Sequence, residues 1–225
     1  ALDAIGLWKG SLILPQDAGY HGSPHMPAIY ARFEQMRLRE QKITYDDFVP
    51  DVVRQLSNEE ESGARLRHPD FLIVDEYQDV NPIQERLVAR LVHFGANLCV
   101  VGDDDQTIYQ WRGSDVQNIL TFDDRYASVR AIRLEENFRS SKGIVELGRS
   151  VAERLDSVER LPKKMIAAGH QTWERGDMLT LQFENPSEEA QWIVERIVEL
   201  QGMPFTDRPG SEPRGLSWSD CAVLF

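Results

Sequence analysis

Residues 71–79 read Phe-Leu-Ile-Val-Asp-Glu-Tyr-Gln-Asp, and they are the strongest indication of the fold class. Its first four residues form an apolar run that is too short for a helix and is typical of a strand covered on both faces. Two adjacent acids, Asp75 and Glu76, follow directly. A buried strand of a parallel sheet delivers side chains in this way to its carboxyl edge, where ligands of such sheets bind. The stretch therefore predicts an α/β fold with a carboxylate pair at the sheet edge.

A helix and a second strand follow at the spacing of a βαβ unit. Asn81 and Pro82 predict the start of the helix, because a capping side chain followed by proline at the first helical position is a favoured beginning. Gly95 stands where a left-handed residue ends the helix. Residues 98–101 form the next apolar run. This order predicts two parallel strands joined by a right-handed crossover.

The remaining segments lie on both sides of this unit. Residues 1–68 show no strong strand pattern and are predicted to be helical. Two sets of apolar residues at helical spacing are expected to face the interior: Ile29, Phe33 and Met36, then Phe48, Val52 and Leu56.

Strand patterns also occupy residues 129–134 and 178–183, and another begins at residues 221–225. Ser140 or Ser141, and later Asn185, are suited to begin helices. The chain is therefore expected to divide near residue 127 into two α/β pieces. Because the last strand pattern stops where the chain stops, a fragment with flanking sequence at both ends is expected.

The composition is that of a globular protein, with 41% hydrophobic and 28% charged residues. No apolar stretch approaches the roughly 20 residues of a membrane span, and no signal pattern opens the chain, so a cytoplasmic location is expected. The net charge of -12 disfavours non-specific binding to nucleic-acid phosphates. Stacking on aromatic rings can nevertheless hold single strands.

Two further segments contain residues that suit nucleotide chemistry. Residues 102–113 read Gly-Asp-Asp-Asp-Gln-Thr-Ile-Tyr-Gln-Trp-Arg-Gly and follow the second strand, and residues 136–140 read Glu-Asn-Phe-Arg-Ser. The pattern Gly-x-x-x-x-Gly-Lys-Ser/Thr, which cradles phosphates, does not occur, and no glycine is followed by lysine.

Together with residues 71–79, these segments resemble motifs II, III and IV of superfamily 1 DNA helicases of the UvrD/PcrA/Rep type. The resemblance implies an α/β chain holding parts of two RecA-like parallel-sheet domains and a helical N-terminal portion. Residues 1–68 would be the helical portion of the first motor domain and its insertion. Residues 69–127 would be the second half of the first RecA-like domain, and residues 128–225 would be the first half of the second RecA-like domain. The implied activity is that of an ATP-dependent DNA helicase or translocase moving 3′ to 5′ on single-stranded DNA in repair or replication.

The resemblance also assigns roles to individual residues, with ATP and Mg²⁺ as cofactors. Asp75 would hold Mg²⁺ beside the nucleotide, and Glu76 would polarise the attacking water. Gln106 would contact the γ-phosphate of ATP. Phe138 occupies the position whose ring stacks on adenine, where tyrosine is common, so a hydroxyl hydrogen bond is lost. Arg139 would reach the γ-phosphate when the cleft between the domains closes.

Tyr109, Trp111 and Arg112 would bind DNA according to the same resemblance. Aromatic rings stack on the bases of single strands with little sequence preference. The alternative is that these rings cover the core or a domain interface, because large aromatic side chains in loops are costly to expose.

Two other functions stay open at this point. The chain could be a non-catalytic module, derived from a helicase, that binds single-stranded DNA or another protein, or it could be the motor part of a helicase-nuclease. Because the phosphate loop is missing from the sequence, the chain alone is expected to be inactive as an ATPase.

Overall fold

The helices and strands of the chain fall into two units. The computed structural model describes residues 1–19, 23–62, 67–107, 113–154, 160–174 and 176–224, with side chains for all of these except residues 59–62. One unit is formed by Ala1–Ala131 with Asp156–Leu161, and the other by Ile132–Leu155 with Pro162–Phe225. Among the described helices, none combines the length and the apolar sequence needed to cross a membrane.

The first unit contains helices and a two-stranded parallel sheet. Its helices and strands are α1 (Leu2–Gly10), α2 (Met26–Arg39), α3 (Tyr45–Ser62), β1 (Phe71–Val74), α4 (Pro82–His93), β2 (Asn97–Val100), α5 (Gln117–Leu120) and α6 (Phe122–Arg125). Strands β1 and β2 run parallel, with Phe71 opposite Asn97 and Val74 opposite Val100. The predicted parallel pair is therefore confirmed.

Helix α4 connects the two strands, and both of its ends agree with the sequence prediction. The N–H of Gln84 donates to Asn81 Oδ1 and the N–H of Asn81 donates to Gln84 Oε1, each at 3.0 Å. Pro82 is the first helical residue. Gly95 follows the helix with a φ of +103°, in the left-handed region that glycine enters without steric cost.

One face of β1 is open in the part of the chain that the structure describes. Phe71 and Ile73 are each 73% exposed, whereas Leu72 and Val74 are half-buried. The prediction of a strand covered on both faces is therefore wrong for the described residues, because no described element packs on this face.

The helical N-terminal portion is confirmed, but the buried face of α2 agrees only in part with the predicted one. Phe33 is half-buried and packs against the core as predicted, but Ile29 and Met36 are exposed, while Met26, Tyr30 and Arg37 are buried. The reason is tertiary: the inward face of α2 carries the guanidinium of Arg37, which takes part in an ion-pair cluster that apolar periodicity does not reveal.

In α3 the predicted apolar face is also only partly buried. Leu56 is buried as predicted, but Phe48 and Val52 are exposed.

This ion-pair cluster, here called the Asp47 cluster, joins α1, α2 and α3 through Lys9, Glu34, Arg37 and Asp47. Asp47 is 1% exposed and accepts hydrogen bonds from Lys9 Nζ and from the N–H and Oγ1 of Thr44, the last two at 2.8 and 2.7 Å. Arg37 Nε lies 3.3 Å from Asp47 Oδ1. Lys9 Nζ lies 2.6 Å from Glu34 Oε1. Buried charges of both signs thus stabilise one another where the three helices meet.

The second unit contains two longer helices and two small sheets. These elements are β3 (Glu136–Asn137), α7 (Lys142–Ala152), β4 (Ile166–Ala167), α8 (Pro186–Leu200), β5 (Pro204–Phe205) and β6 (Arg214–Gly215). Strands β3 and β4 are parallel, and β5 and β6 are antiparallel.

Both helices predicted for this unit are confirmed. Ser141 occupies the N-cap position of α7, although its side chain makes no capping hydrogen bond. Asn185 Oδ1 caps α8 by accepting from the N–H groups of Ser187 and Glu188 at 3.1 and 3.0 Å.

The strand predictions for the segments after residue 128 are wrong. Residues 129–134, 178–183 and 221–224 contain no strand, and residue 225 lies outside the described residues. An apolar run becomes a strand only when its backbone groups pair with a neighbouring segment. Here the pairing falls on Glu136–Asn137, just beyond the first of these runs.

Candidate nucleotide site

The carboxyl end of β1 carries the first candidate residues. Asp75 and Glu76 are both exposed, and the N–H of Glu76 donates to Asp75 Oδ1 at 3.0 Å. The N–H of Val101 donates to the carbonyl of Val74 at 2.8 Å, and that of Tyr77 donates to the carbonyl of Val101 at 2.9 Å. These two bonds fix the chain on both sides of the acids at the edge of the sheet.

Glu76 has a left-handed backbone conformation, with φ 51° and ψ 45°. A residue other than glycine pays about 1–2 kcal/mol for this conformation. Such strain persists where the surrounding structure fixes it, and it is concentrated at functional sites. Here the 3₁₀ turn Tyr77–Asp79 follows immediately, and its first two side chains are buried.

Tyr77 anchors this turn in the interior. Its hydroxyl donates to the carboxylate of Glu85, which also accepts from the hydroxyl of Tyr126 at 2.8 Å and pairs with Arg125. Burial, together with the hydrogen bond to Glu85, raises the pKa of Tyr77 to about 12. The phenol therefore stays protonated and remains a donor across the whole physiological range.

Gln78 is the next buried residue and connects two loops. It is 1% exposed, its Nε2 donates to Glu76 Oε2 at 2.7 Å, and its Oε1 accepts from the N–H of Asp103 at 2.9 Å. The backbone at Gly102 lies close to this amide. A Cβ added at Gly102 would lie 2.7 Å from Gln78 Oε1 and 3.2 Å from the backbone N of Tyr77. A side chain at position 102 would therefore displace the amide.

Gln106 lies in the loop that follows β2, at the end of the 3₁₀ turn Asp104–Gln106. It is exposed, and its Nε2 donates to Asp103 Oδ2 at 2.7 Å. Asp103 Oδ1 accepts from the N–H of Asp105 at 3.2 Å. A continuous hydrogen-bonded chain thus runs from Glu76 through Gln78 and Asp103 to Gln106, and we call it the Glu76–Gln106 chain.

A second contact holds the far side of this loop. Arg160 binds Asp105 in a bidentate fork, with Nε to Oδ1 at 2.7 Å and Nη2 to Oδ2 at 3.0 Å. The N–H of Leu161 donates to Asp104 Oδ2 at 2.8 Å. No local sequence pattern indicates this contact, because Arg160 and Asp105 are separated by 55 positions.

The second unit presents Phe138 and Arg139 on a turn after β3. Asn137 Oδ1 accepts from the N–H groups of Arg139 and Ser140 at 3.0 and 2.8 Å. The ring of Phe138 is 64% exposed, and Arg139 is exposed, with a guanidinium that forms no ion pair with any described residue. A Cβ added at Gly169 would lie 2.7 Å from the carbonyl oxygen of Phe138, so glycine is required there. The ring and the fork are both accessible to a ligand.

The structure therefore joins the candidate residues in two groups. The first unit holds Asp75, Glu76 and Gln106, and the second holds Phe138 and Arg139. Tyr109, Trp111 and Arg112 lie outside the described residues. Sequence reasoning missed Gln78, Asp103 and Arg160 as parts of the site, although the first two stand inside the motifs quoted above.

Asp75 offers a carboxylate that suits Mg²⁺. This ion prefers hard oxygen ligands and is commonly held by one or two carboxylates, substrate phosphates and water. Asp75 uses Oδ1 for the N–H of Glu76, and Oδ2 forms no hydrogen bond with a described residue. Among the described residues there is no group of three or more His, Cys, Asp or Glu side chains that could hold a metal. An ion at Asp75 would thus take most of its ligands from phosphate and water.

Comparison with known families agrees with this arrangement. Residues 9–127 match the family model of the UvrD/REP helicase N-terminal domain, and residues 132–225 match that of the UvrD-like helicase C-terminal domain. The chain belongs to the UvrD/Rep helicase family. In this UvrD/Rep chain the second match begins at residue 132, where the packing also divides, and the first match ends four residues earlier than the first packing segment. The helices and small parallel sheets are consistent with parts of two RecA-like domains, as predicted.

Several curated relatives of this UvrD/Rep chain carry the name ATP-dependent DNA helicase PcrA. The protein of Staphylococcus epidermidis (strain ATCC 35984) is 32% identical over 232 residues, which cover 100% of this chain and 29% of the relative. That of Staphylococcus aureus (strain Mu50) is 31% identical with the same coverage. That of Leuconostoc citreum is 31% identical over 199 residues, or 88% of this chain and 24% of the relative. The chain thus spans less than a third of the length of these relatives.

Proposed function

We propose that this chain is part of an ATP-dependent DNA helicase or translocase, in which ATP hydrolysis drives movement along single-stranded DNA. The Glu76–Gln106 chain carries the proposal. It holds a carboxylate that can activate water and an amide that can contact phosphate within one framework. By family resemblance, the proposed direction is 3′ to 5′ and the proposed setting is DNA repair or replication in the cytoplasm.

The first unit would contribute the hydrolytic groups. Asp75 would hold Mg²⁺, which when bound neutralises charge on the phosphates. Glu76 would accept a proton from the attacking water through its exposed carboxylate. Gln106 would donate a hydrogen bond to the γ-phosphate without adding charge. These roles agree with the exposure of all three side chains at the sheet edge.

The second unit would contribute contacts to both ends of ATP. Phe138, with its exposed ring, would stack on adenine. Arg139 would offer a fork to the γ-phosphate and stabilise charge on the group being transferred. The absence of an ion-pair partner for Arg139 among the described residues supports this role, because the fork is available to an anion.

Phosphate release by the isolated chain and by the complete helicase tests the proposal. Because the sequence contains no Gly-Lys pair, the isolated chain is expected to show background ATPase with or without single-stranded DNA. The complete helicase is expected to hydrolyse ATP faster when DNA is added. Robust turnover by the isolated chain that disappears in Glu76→Gln would show that no outside phosphate loop is needed.

A separate prediction concerns DNA contact by Tyr109, Trp111 and Arg112. Trp111→Ala is expected to weaken binding of single-stranded DNA by ~1–3 kcal/mol with little dependence on base sequence, as expected of stacking. Fluorescence anisotropy with labelled thymine-only and mixed-sequence oligonucleotides at low salt measures the change. Trp218→Ala removes an exposed tryptophan of the second unit and serves as the matched control. If the two variants bind single-stranded DNA with equal affinity, Trp111 is not part of the DNA site.

A further inference from the structure

Gln78 differs from the candidate catalytic side chains in being buried. Glu76 and Gln106 are exposed, whereas Gln78 is 1% exposed and lies between the loops that carry them. A buried amide is costly unless both of its polar atoms are hydrogen-bonded. Both are: Nε2 bonds to Glu76 Oε2 at 2.7 Å, and Oε1 bonds to the N–H of Asp103 at 2.9 Å.

The chemistry of the two partners fixes the orientation of this amide. A backbone N–H can only donate, so the group that faces Asp103 must be the amide oxygen. A carboxylate accepts, so the group that faces Glu76 must be the NH₂. Glutamate at position 78 would lack the donor, and methionine would lack both groups. Glutamine alone among residues of this length satisfies both partners.

The loop after β2 has room for the amide only because residue 102 is glycine. A Cβ at Gly102 would come within 2.7 Å of Gln78 Oε1 and within 2.9 Å of Ile119 Cδ1. Glycine at position 102 therefore leaves room for the amide, whose hydrogen bond to Glu76 Oε2 holds the carboxylate next to this loop.

We propose that Gln78 is a positioning residue for ATP hydrolysis. It fixes the carboxylate of Glu76 relative to the Gly102 and Asp103 backbone and, through the Asp103 carboxylate, relative to Gln106. The inference rests on the function proposed above for Glu76 and Gln106. Gln78 itself takes no proton, because an amide is not a base at physiological pH, and it contacts no phosphate, because its side chain is buried.

The arrangement leaves part of Glu76 available for the reaction. Gln78 binds Oε2, while Oε1 forms no hydrogen bond with a described residue and is open to a water molecule. A misplacement of this carboxylate by about 1 Å can cost on the order of 100-fold in rate. Loss of Gln78 should therefore reduce the rate of hydrolysis much more than the binding of nucleotide.

The test compares Gln78→Met and Gln78→Glu in the complete helicase. Gln78→Met keeps the length of the side chain and removes both hydrogen bonds. It is expected to lower kcat of DNA-stimulated ATP hydrolysis by about 10–100-fold and to change the Kd of ADP by less than about 3-fold. Gln78→Glu keeps the acceptor for Asp103 but sets a carboxylate against Glu76, so kcat is expected to fall comparably.

Hydrogen exchange in the isolated chain separates the two hydrogen bonds. The N–H of Asp103 is expected to exchange at least about 10-fold faster in Gln78→Met than in the wild type, and to keep its protection in Gln78→Glu. Val88→Ala is the stability control, because this residue is buried in α4 and forms no side-chain hydrogen bond. In the complete helicase, Val88→Ala is expected to leave kcat of ATP hydrolysis unchanged at temperatures where all variants are folded.

The outcomes distinguish this inference from the proposed function. A complete wild-type protein without DNA-stimulated ATPase would contradict the proposed function. The other case is a wild-type helicase that is active and that Glu76→Gln inactivates. If the Gln78 variants are then as active as Val88→Ala, only the positioning role of Gln78 is contradicted. If Gln78→Met does not fold, the kcat of Gln78→Glu tests the positioning role instead. A kcat equal to that of the wild type in Gln78→Glu would also contradict this role.

Discussion

Replacing Glu76 by glutamine is expected to lower kcat for DNA-stimulated ATP hydrolysis by about 10²–10⁴-fold in the complete helicase. The amide has nearly the same size as the carboxylate and still offers an oxygen to Gln78 Nε2, so the loop is expected to keep its shape. It cannot take a proton from water. Single-turnover phosphate release measures the chemical step, and Kd values for ATP and ADP are expected to stay within a few-fold of wild type.

Glu184→Gln is the matched control for this experiment. Glu184 is an exposed glutamate of the second unit with no hydrogen bond or ion pair among the described residues. Its replacement removes the same charge far along the chain from the candidate residues and should leave kcat unchanged. If Glu76→Gln retains the kcat of this control, Glu76 does not activate the attacking water.

The largest expected effect on stability comes from Asp47→Ala. Its removal leaves Lys9 and Arg37 without their shared carboxylate, although both side chains are only 5% exposed. Removal of one partner from a buried ion pair costs about 3–5 kcal/mol when no other partner remains. Because Glu34 and Asp51 still contact Lys9 and Arg37, a loss at the lower end of this range, about 3 kcal/mol, is expected. The bonds from the N–H and Oγ1 of Thr44 are lost as well. Urea denaturation of the isolated chain, followed by circular dichroism, measures the loss.

Asp51→Ala provides the comparison in the same region. Asp51 contacts Arg37 and Arg54 at 3.3 and 2.5 Å, but its side chain is 27% exposed. A pair that water reaches contributes less, and a loss within about 1 kcal/mol is expected. Equal losses for Asp47→Ala and Asp51→Ala would show that the Asp47 cluster does not hold the helices together.

The effect of Asp47 should also depend on pH. Burial alone would raise the pKa of this carboxyl, but the hydrogen bonds from Lys9 and Thr44 outweigh burial and hold the pKa below its usual value. A lowered pKa in the folded state stabilises the protein above the unfolded-state value of about 3.9. This stability is lost as the pH falls through the lower, folded-state pKa. The difference in stability between wild type and Asp47→Asn should therefore shrink below about pH 4.

Features that depend on neighbours a few positions apart could be predicted from the amino-acid sequence. The apolar run before Asp75, the Asn81 and Pro82 start of α4 and the left-handed Gly95 all appear where their patterns predict them. A cap or a turn is made by groups within one or two turns of the chain, so the local residues contain all the information needed.

Features that need a distant partner could be seen only in the folded chain. Residues 129–134 have a strand pattern but no strand, because pairing depends on a second segment that lies elsewhere in the sequence. The bond from Gln78 to Asp103 joins positions 25 apart, and the fork from Arg160 to Asp105 joins positions 55 apart. Motif spacing could place Glu76 and Gln106 in neighbouring loops. Only the folded chain shows which buried amide connects them, since that contact depends on how the two loops approach in space.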